Sequence, residues 1–166
     1  MKEILDFFND IKTINYGWHD KDGNIHESLK DFKDNFQLQD INKILEDRYA
    51  VCWEMCEVQK DFFNKKEIEN KTIFAFLDKS KNYANHTFSV FFMNGKCFWF
   101  EASWKSKKGI HEFNSLEEVL EYFRNNFIDF SKVEYDKNNM RFFEYENNNA
   151  VDSENFIKYC LSSKEL

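Results

Sequence analysis

Two apolar, β-rich runs, residues 86–93 (HTFSVFFM) and 96–102 (KCFWFEA), are separated only by Asn94-Gly95. Asn-Gly is the preferred filling of a two-residue hairpin loop, because both positions need a positive φ. That dipeptide sets a register. Met93 faces Lys96, and counting back along the strands places Glu101 opposite Phe88 and His86 opposite Ser103. Side chains alternate with a period of two, so His86 and Glu101 fall on one sheet face as diagonal neighbours, roughly 7–8 Å apart at Cα. Phe88, Val90, Phe92, Cys97 and Trp99 share that face, which is otherwise apolar and calls for a covering helix. A histidine and a glutamate at one end of a buried face are costly unless each satisfies the other.

The remainder of the chain supplies such helices. Residues 2–12 carry Ile4, Leu5, Phe8 and Ile11 at helical spacing. Residues 13–18 read as a strand, followed by a turn at Asp22-Gly23. Asp20, Asp22 and Asn24 resemble the opening of a calcium loop, but the glycine comes one place early and no acid closes the loop, which favours a turn. Asp40 is placed to cap a short helix through residue 48, and residues 51–63 form a longer one with Cys52, Met55, Cys56, Gln59, Phe62 and Phe63 along one side. Residues 72–77 (TIFAFL) read as a strand. Ser115 and Glu118 make a capping box for a helix to residue 127, residues 141–145 a strand, and Asp152 or Ser153 caps a last helix. Helices, then a mainly antiparallel sheet, then helices is an α+β pattern. No repeat or linker divides the 166 residues, so one domain over residues 1–166 is expected.

Composition narrows the function classes. The net charge of −7, with no long basic run, argues against nucleic acid or an anionic membrane as partner. No apolar stretch approaches the ~20 residues of a bilayer span. The first residues mix acids with apolar side chains, unlike a signal peptide, so four free cysteines in a reducing, cytoplasmic setting are expected. Proline is absent, which leaves the turns to Gly, Asn and Asp.

Cys52 stands where the helix over residues 51–63 begins. Unpaired amides and the positive end of the helix dipole lower the pKa of a thiol placed there. This helix is the natural cover for the His86–Glu101 face. The three side chains then form a nucleophile, a base and an orienting acid, with the Cys52 amide available to an oxyanion. A buried cysteine that only packs is the plainer reading of Cys52 taken alone. Cys56, one turn on, lacks a CxxC or a second pair, so neither a metal nor another cofactor is expected. Trp18, Trp53 and Trp104 are candidates to line a substrate groove, with core packing as the plainer alternative.

The stretches VCWEMCEVQKDFF, NHTFSVFF, GKCFWFEASW and GIHEFNSLEEVLEYF together resemble bacterial transglutaminase-like proteins of the papain-like cysteine-enzyme superfamily. The resemblance runs from about residue 51 to residue 127, and FEYENNNAVDSENFIKYC resembles the tail of these small proteins. It implies a papain-like core with the nucleophile helix on a mainly antiparallel sheet, Cys52 as nucleophile, His86 as base and Glu101 as acid. Three positions depart from the pattern: Ala50 replaces a glycine, Glu101 replaces the commoner aspartate, and Glu46 sits where a papain-like enzyme has its oxyanion glutamine. The implied activity is acyl chemistry through a thioester on Cys52: amide hydrolysis, deamidation or amide transfer on a protein, peptide or small amide. The alternative is a catalytically silent version of the same fold that sequesters a peptide or small ligand.

Overall fold

The computed structural model describes residues 1–78, 83–127, 136–146 and 152–166. In chain order the elements are α1 (Lys2–Ile11), β1 (Asn15–Tyr16), β2 (Trp18–His19), β3 (Ile25–His26), α2 (Phe32–Asn35), α3 (Ile41–Asp47), β4 (Tyr49–Ala50) and α4 (Cys52–Lys65). Then follow β5 (Asn70–Asp78), β6 (Tyr83–Met93), β7 (Lys96–Glu101), β8 (Gly109–Phe113), α5 (Leu116–Asn126), β9 (Met140–Tyr145), α6 (Ser153–Leu161) and β10 (Lys164–Glu165). The fold is α+β. Its main sheet has six strands in the order β10-β9-β5-β6-β7-β8, and every pairing in it is antiparallel.

Local chemistry accounts for the boundaries. Asn94 and Gly95 take φ values of 53° and 72°, and Met93 pairs with Lys96, as a two-residue loop requires. The carboxylate of Asp40 accepts from the Lys43 amide at 3.0 Å to start α3, and Asp152 does the same for Asn155 at 2.9 Å to start α6. Ser115 Oγ accepts from the Glu118 amide. Glu118 does not return the bond to its own cap but receives the Asn114 amide at 2.9 Å. The turn after His19 closes on Asp20, whose Oδ1 accepts from the Asp22 and Asn24 amides. Of the C-terminal stretch FEYENNNAVDSENFIKYC, residues 147–151 lie outside the described residues.

The sheet buries both faces. One packs Phe91, Phe98 and Phe100 against α1, α3 and α4. Further along the same face, Phe74 and Phe143 meet Trp53 and Phe156. The other face packs Ile73, Ala75, Phe88, Val90, Cys97, Trp99 and Phe142 against Val119 and Phe123 of α5. This corrects one expectation. The face carrying His86 and Glu101 is covered by α5, and the Cys52 helix lies on the opposite face. The reason is that alternate residues on both faces are apolar here, so the pattern demands a cover on each side without saying which helix supplies it. Strand β8, which pairs with β7 over residues 109–113, has no clear alternation and was not expected.

Candidate active site

The hairpin register carries His86 and Glu101 together. His86 Nε2 lies 2.8 Å from Glu101 Oε2. The other carboxylate oxygen accepts from the Ser103 amide at 2.8 Å, the Ser103 hydroxyl at 2.9 Å and the Trp104 amide at 2.8 Å. These donors come from the segment immediately after β7. Glu101 is 1% exposed, so a buried charge is matched on both oxygens, as burial of a carboxylate requires. Burial pushes Glu101 up, yet the His86 charge and these hydrogen bonds hold it below the ordinary glutamate value.

Cys52 reaches His86 from the far side of the sheet. The β6–β7 pairing ends at Ser89 and Phe100, whereas β6 continues back to Tyr83 paired only with β5. In this register Ser89, Phe91 and Met93 aim their amides at β7, and so does Thr87, opposite which β7 has already turned away. The Thr87 amide faces the Cys52 sulfur instead and helps to lower its pKa. The start of α4 thus sits at a gap in the sheet, and through it the thiol meets the imidazole. With Nε2 held by Glu101, the ring presents Nδ1 to Cys52.

The electrostatics follow from this placement. Burial pushes the Cys52 thiol up, but the hydrogen bond and charge of His86, with the Thr87 amide, outweigh it and lower the pKa. Burial pulls His86 down, while the Glu101 charge and the bonds to Cys52 and Glu101 raise it to about 10. Both shifts favour the thiolate–imidazolium form of the pair over the neutral one. The other thiols behave oppositely: Cys56, Cys97 and Cys160 are buried and burial pushes each one up.

The α4 N-terminus is held from below. Glu54 Oε2 accepts from the Val51 amide and Oε1 from the Gln39 amide, each at 3.1 Å. This is the glutamate half of a capping box, and it leaves the Cys52 amide free of that carboxylate.

Cys52 opens onto a cleft of about 1020 Å³. Leu29, Phe32, Phe127, Phe156 and Ile157 form much of its apolar wall, and among the described residues Lys33 and Lys105 join the Cys52–His86 pair as charged lining groups. Trp104 lines it and packs edge-on to His86 at 5.7 Å. Trp53 touches the cleft but is 3% exposed and stacked on Phe156 at 3.8 Å, so it is chiefly a packing residue. Trp18 is not in the cleft. It is buried, stacks on His26 and donates from Nε1 to the Ser28 carbonyl at 2.8 Å. His19 is fully buried and bonded to Asp47 at 2.8 Å. Glu46 is exposed on α3, outside the cleft.

One site residue escaped sequence reading. Tyr16 lines the cleft, and its hydroxyl is within hydrogen-bonding range of the Cys52 sulfur. It arrives through the parallel pairing of β1 with β4, which sets Tyr16 beside Ala50. No local signal in the sequence marks that contact.

Among the described residues no group of three His, Cys, Asp or Glu side chains could hold a metal ion, and no helix is long and apolar enough to cross a membrane. No protein-family model matches the chain, and no curated protein matches it.

Proposed function

We propose that this protein performs cysteine-dependent acyl chemistry on a transglutaminase-like, papain-like core. The observation that carries the reading is the ordered contact of Cys52, His86 and Glu101 at a helix N-terminus, with Glu101 fully satisfied and His86 placed between the other two. The Cys52 thiolate attacks the carbonyl carbon of an amide and forms the C–S bond, while the carbonyl electron pair moves to oxygen. Collapse of that intermediate restores the C=O bond and expels the amine, which takes its proton from His86 Nδ1. Water or a second amine, deprotonated by the now neutral His86, then resolves the thioester. Water gives hydrolysis or deamidation and an amine gives transfer. Glu101 keeps the proton of neutral His86 on Nε2, so that Nδ1 is free to act.

The cleft suits an acyl donor with a bulky apolar part, since its walls are mainly aliphatic and aromatic. Lys33 and Lys105, with no carboxylate lining the cleft among the described residues, favour a donor that also carries a negative charge. The test is intact mass spectrometry after incubation with p-nitrophenyl esters of an aliphatic, an aromatic and a carboxyl-bearing aromatic acid. The expected result is one acyl adduct per chain, on Cys52, absent in Cys52→Ala and formed fastest with the carboxyl-bearing aromatic ester. A Cys52 that never acylates, beside a small ligand that copurifies unmodified, would make the protein a sequestering module instead.

A further inference from the structure

We propose that Tyr16 is a catalytic residue whose hydroxyl, with the Cys52 amide, donates to the oxyanion formed when a carbonyl is attacked by Cys52. The inference rests on the acyl-chemistry reading of the site. Two observations lead to it. First, the residue that the resemblance would assign to this role, Glu46, is exposed on α3, lies outside the cleft, and cannot donate when ionised. Second, a different donor occupies the nucleophile's surroundings. The Asn15 amide donates to the Arg48 carbonyl at 2.9 Å and the Gly17 amide to the Ala50 carbonyl at 3.3 Å, which fixes β1 alongside the residues that lead into α4.

Gly17 is part of this placement. A Cβ there would come within 2.8 Å of the Tyr49 ring and 3.0 Å of the His26 carbonyl, so the close passage of β1 past β4 needs the missing side chain. The strand is further tied down by Arg48, whose guanidinium donates to the Asp10 carbonyl at 2.6 Å and to the Thr13 hydroxyl. Tyr16 is therefore held by backbone pairing on both sides, as a preorganised donor must be.

Tyr16 and Cys52 line the same cleft, and the hydroxyl interacts with the Cys52 sulfur there. When that sulfur adds to a carbonyl, the new oxyanion is attached to the carbon bonded to sulfur, and a donor that reached the sulfur needs only a small shift to reach the oxygen. The second donor, the Cys52 amide, belongs to the first turn of α4, where amides have no intrahelical acceptor. Burial of its hydroxyl end and the charge of Cys52 both raise the Tyr16 pKa, so the phenol keeps its proton and remains a donor. In the same pocket the Thr87 amide and hydroxyl both face the Cys52 thiolate and help to lower its pKa.

Two reactions of one sulfur separate this role from a merely structural one. Alkylation by iodoacetamide is a displacement that forms no oxyanion, whereas acylation by p-nitrophenyl acetate passes through one before p-nitrophenolate leaves. Tyr16→Phe removes the donor and little else at a residue that is 43% exposed. The measurement is the rate of each reaction at Cys52, in wild type and Tyr16→Phe, with the melting curve recorded for both. The expected result is acylation slowed on the order of 10²-fold, with alkylation changed less than about threefold and the melting curve unmoved. Equal loss of both rates would show that Tyr16 only tunes the thiolate and would overturn the proposal. Faster acylation in Tyr16→Phe would overturn it too, by showing a plug. A wild-type Cys52 that alkylates readily but never acylates would remove the acyl-chemistry reading itself, and this role with it.

Discussion

Replacement of Glu101 by glutamine changes one atom and should displace the titration of two other residues. In the wild type, His86 is carried from an ordinary 6.5 to about 10, with burial opposing the rise and the Glu101 charge the largest contribution in its favour. That span corresponds to about 5 kcal/mol of preference for imidazolium. The glutamine oxygen can still accept from the Ser103 and Trp104 amides, which turns its NH2 group toward His86 Nε2. Neutral His86 must then carry its proton on Nδ1, toward Cys52, and cannot accept the thiol proton. Loss of the charge also lets burial pull His86 down. The assay is site-resolved alkylation of Cys52 against pH. In the wild type the lowered thiol pKa should carry reaction to lower pH than an ordinary thiol allows, failing as pH drops through that lowered value. A second rise is expected near pH 10, where His86 loses its proton and the lone thiolate becomes more nucleophilic. In Glu101→Gln the acid limb should move toward alkaline pH, and alkylation at pH 6 should fall on the order of 10²–10³-fold, since a few kcal/mol of ion-pair support are removed. An unchanged acid limb would refute the reasoning, because it would mean that Glu101 does not set the charge of His86.

Other perturbations have equally definite outcomes. His86→Ala should likewise shift Cys52 alkylation toward alkaline pH, while Cys56, Cys97 and Cys160 stay unreactive until denaturant is added, as peptide-resolved labelling would show. Glu54 is pushed up to about 7 by burial, so the folded state holds its proton where the unfolded chain has lost it. Its contribution is fully present below about pH 4.5 and is lost as pH rises through 7, about 3 kcal/mol in all. Urea unfolding at pH 5 and pH 8 should therefore show a larger loss on raising the pH for wild type than for Glu54→Gln, and equal losses would contradict it. Asp40→Ala removes the cap of α3 and should cost about 1 kcal/mol in urea unfolding without altering Cys52 alkylation. Cys52→Ser should keep the melting temperature within a few degrees while abolishing acylation, and acylation of the remaining chain would place the nucleophile elsewhere.

The features legible in the sequence are those governed by neighbours along the chain. Asn94-Gly95 determined the loop, the loop determined the register, and the register placed His86 and Glu101 on one face, because a period of two leaves no freedom once the turn is set. Asp40, Ser115 and Asp152 marked helix starts because a short oxygen-bearing side chain satisfies an amide two or three residues on. Only the tertiary structure decided which helix covers which face, since both faces of β6 and β7 are apolar and each asks for a cover. It also set β9 beside β5, ended the β6–β7 pairing early enough to open a gap for the Cys52 sulfur, and took Trp18 and His19 into the interior. Tyr16 is the clearest case. Its approach to Cys52 depends on a two-residue parallel pairing between segments more than thirty residues apart, held by Arg48 and by the room that Gly17 leaves. Such contacts arise from the mutual fit of distant surfaces, and no period or turn residue within either segment encodes them.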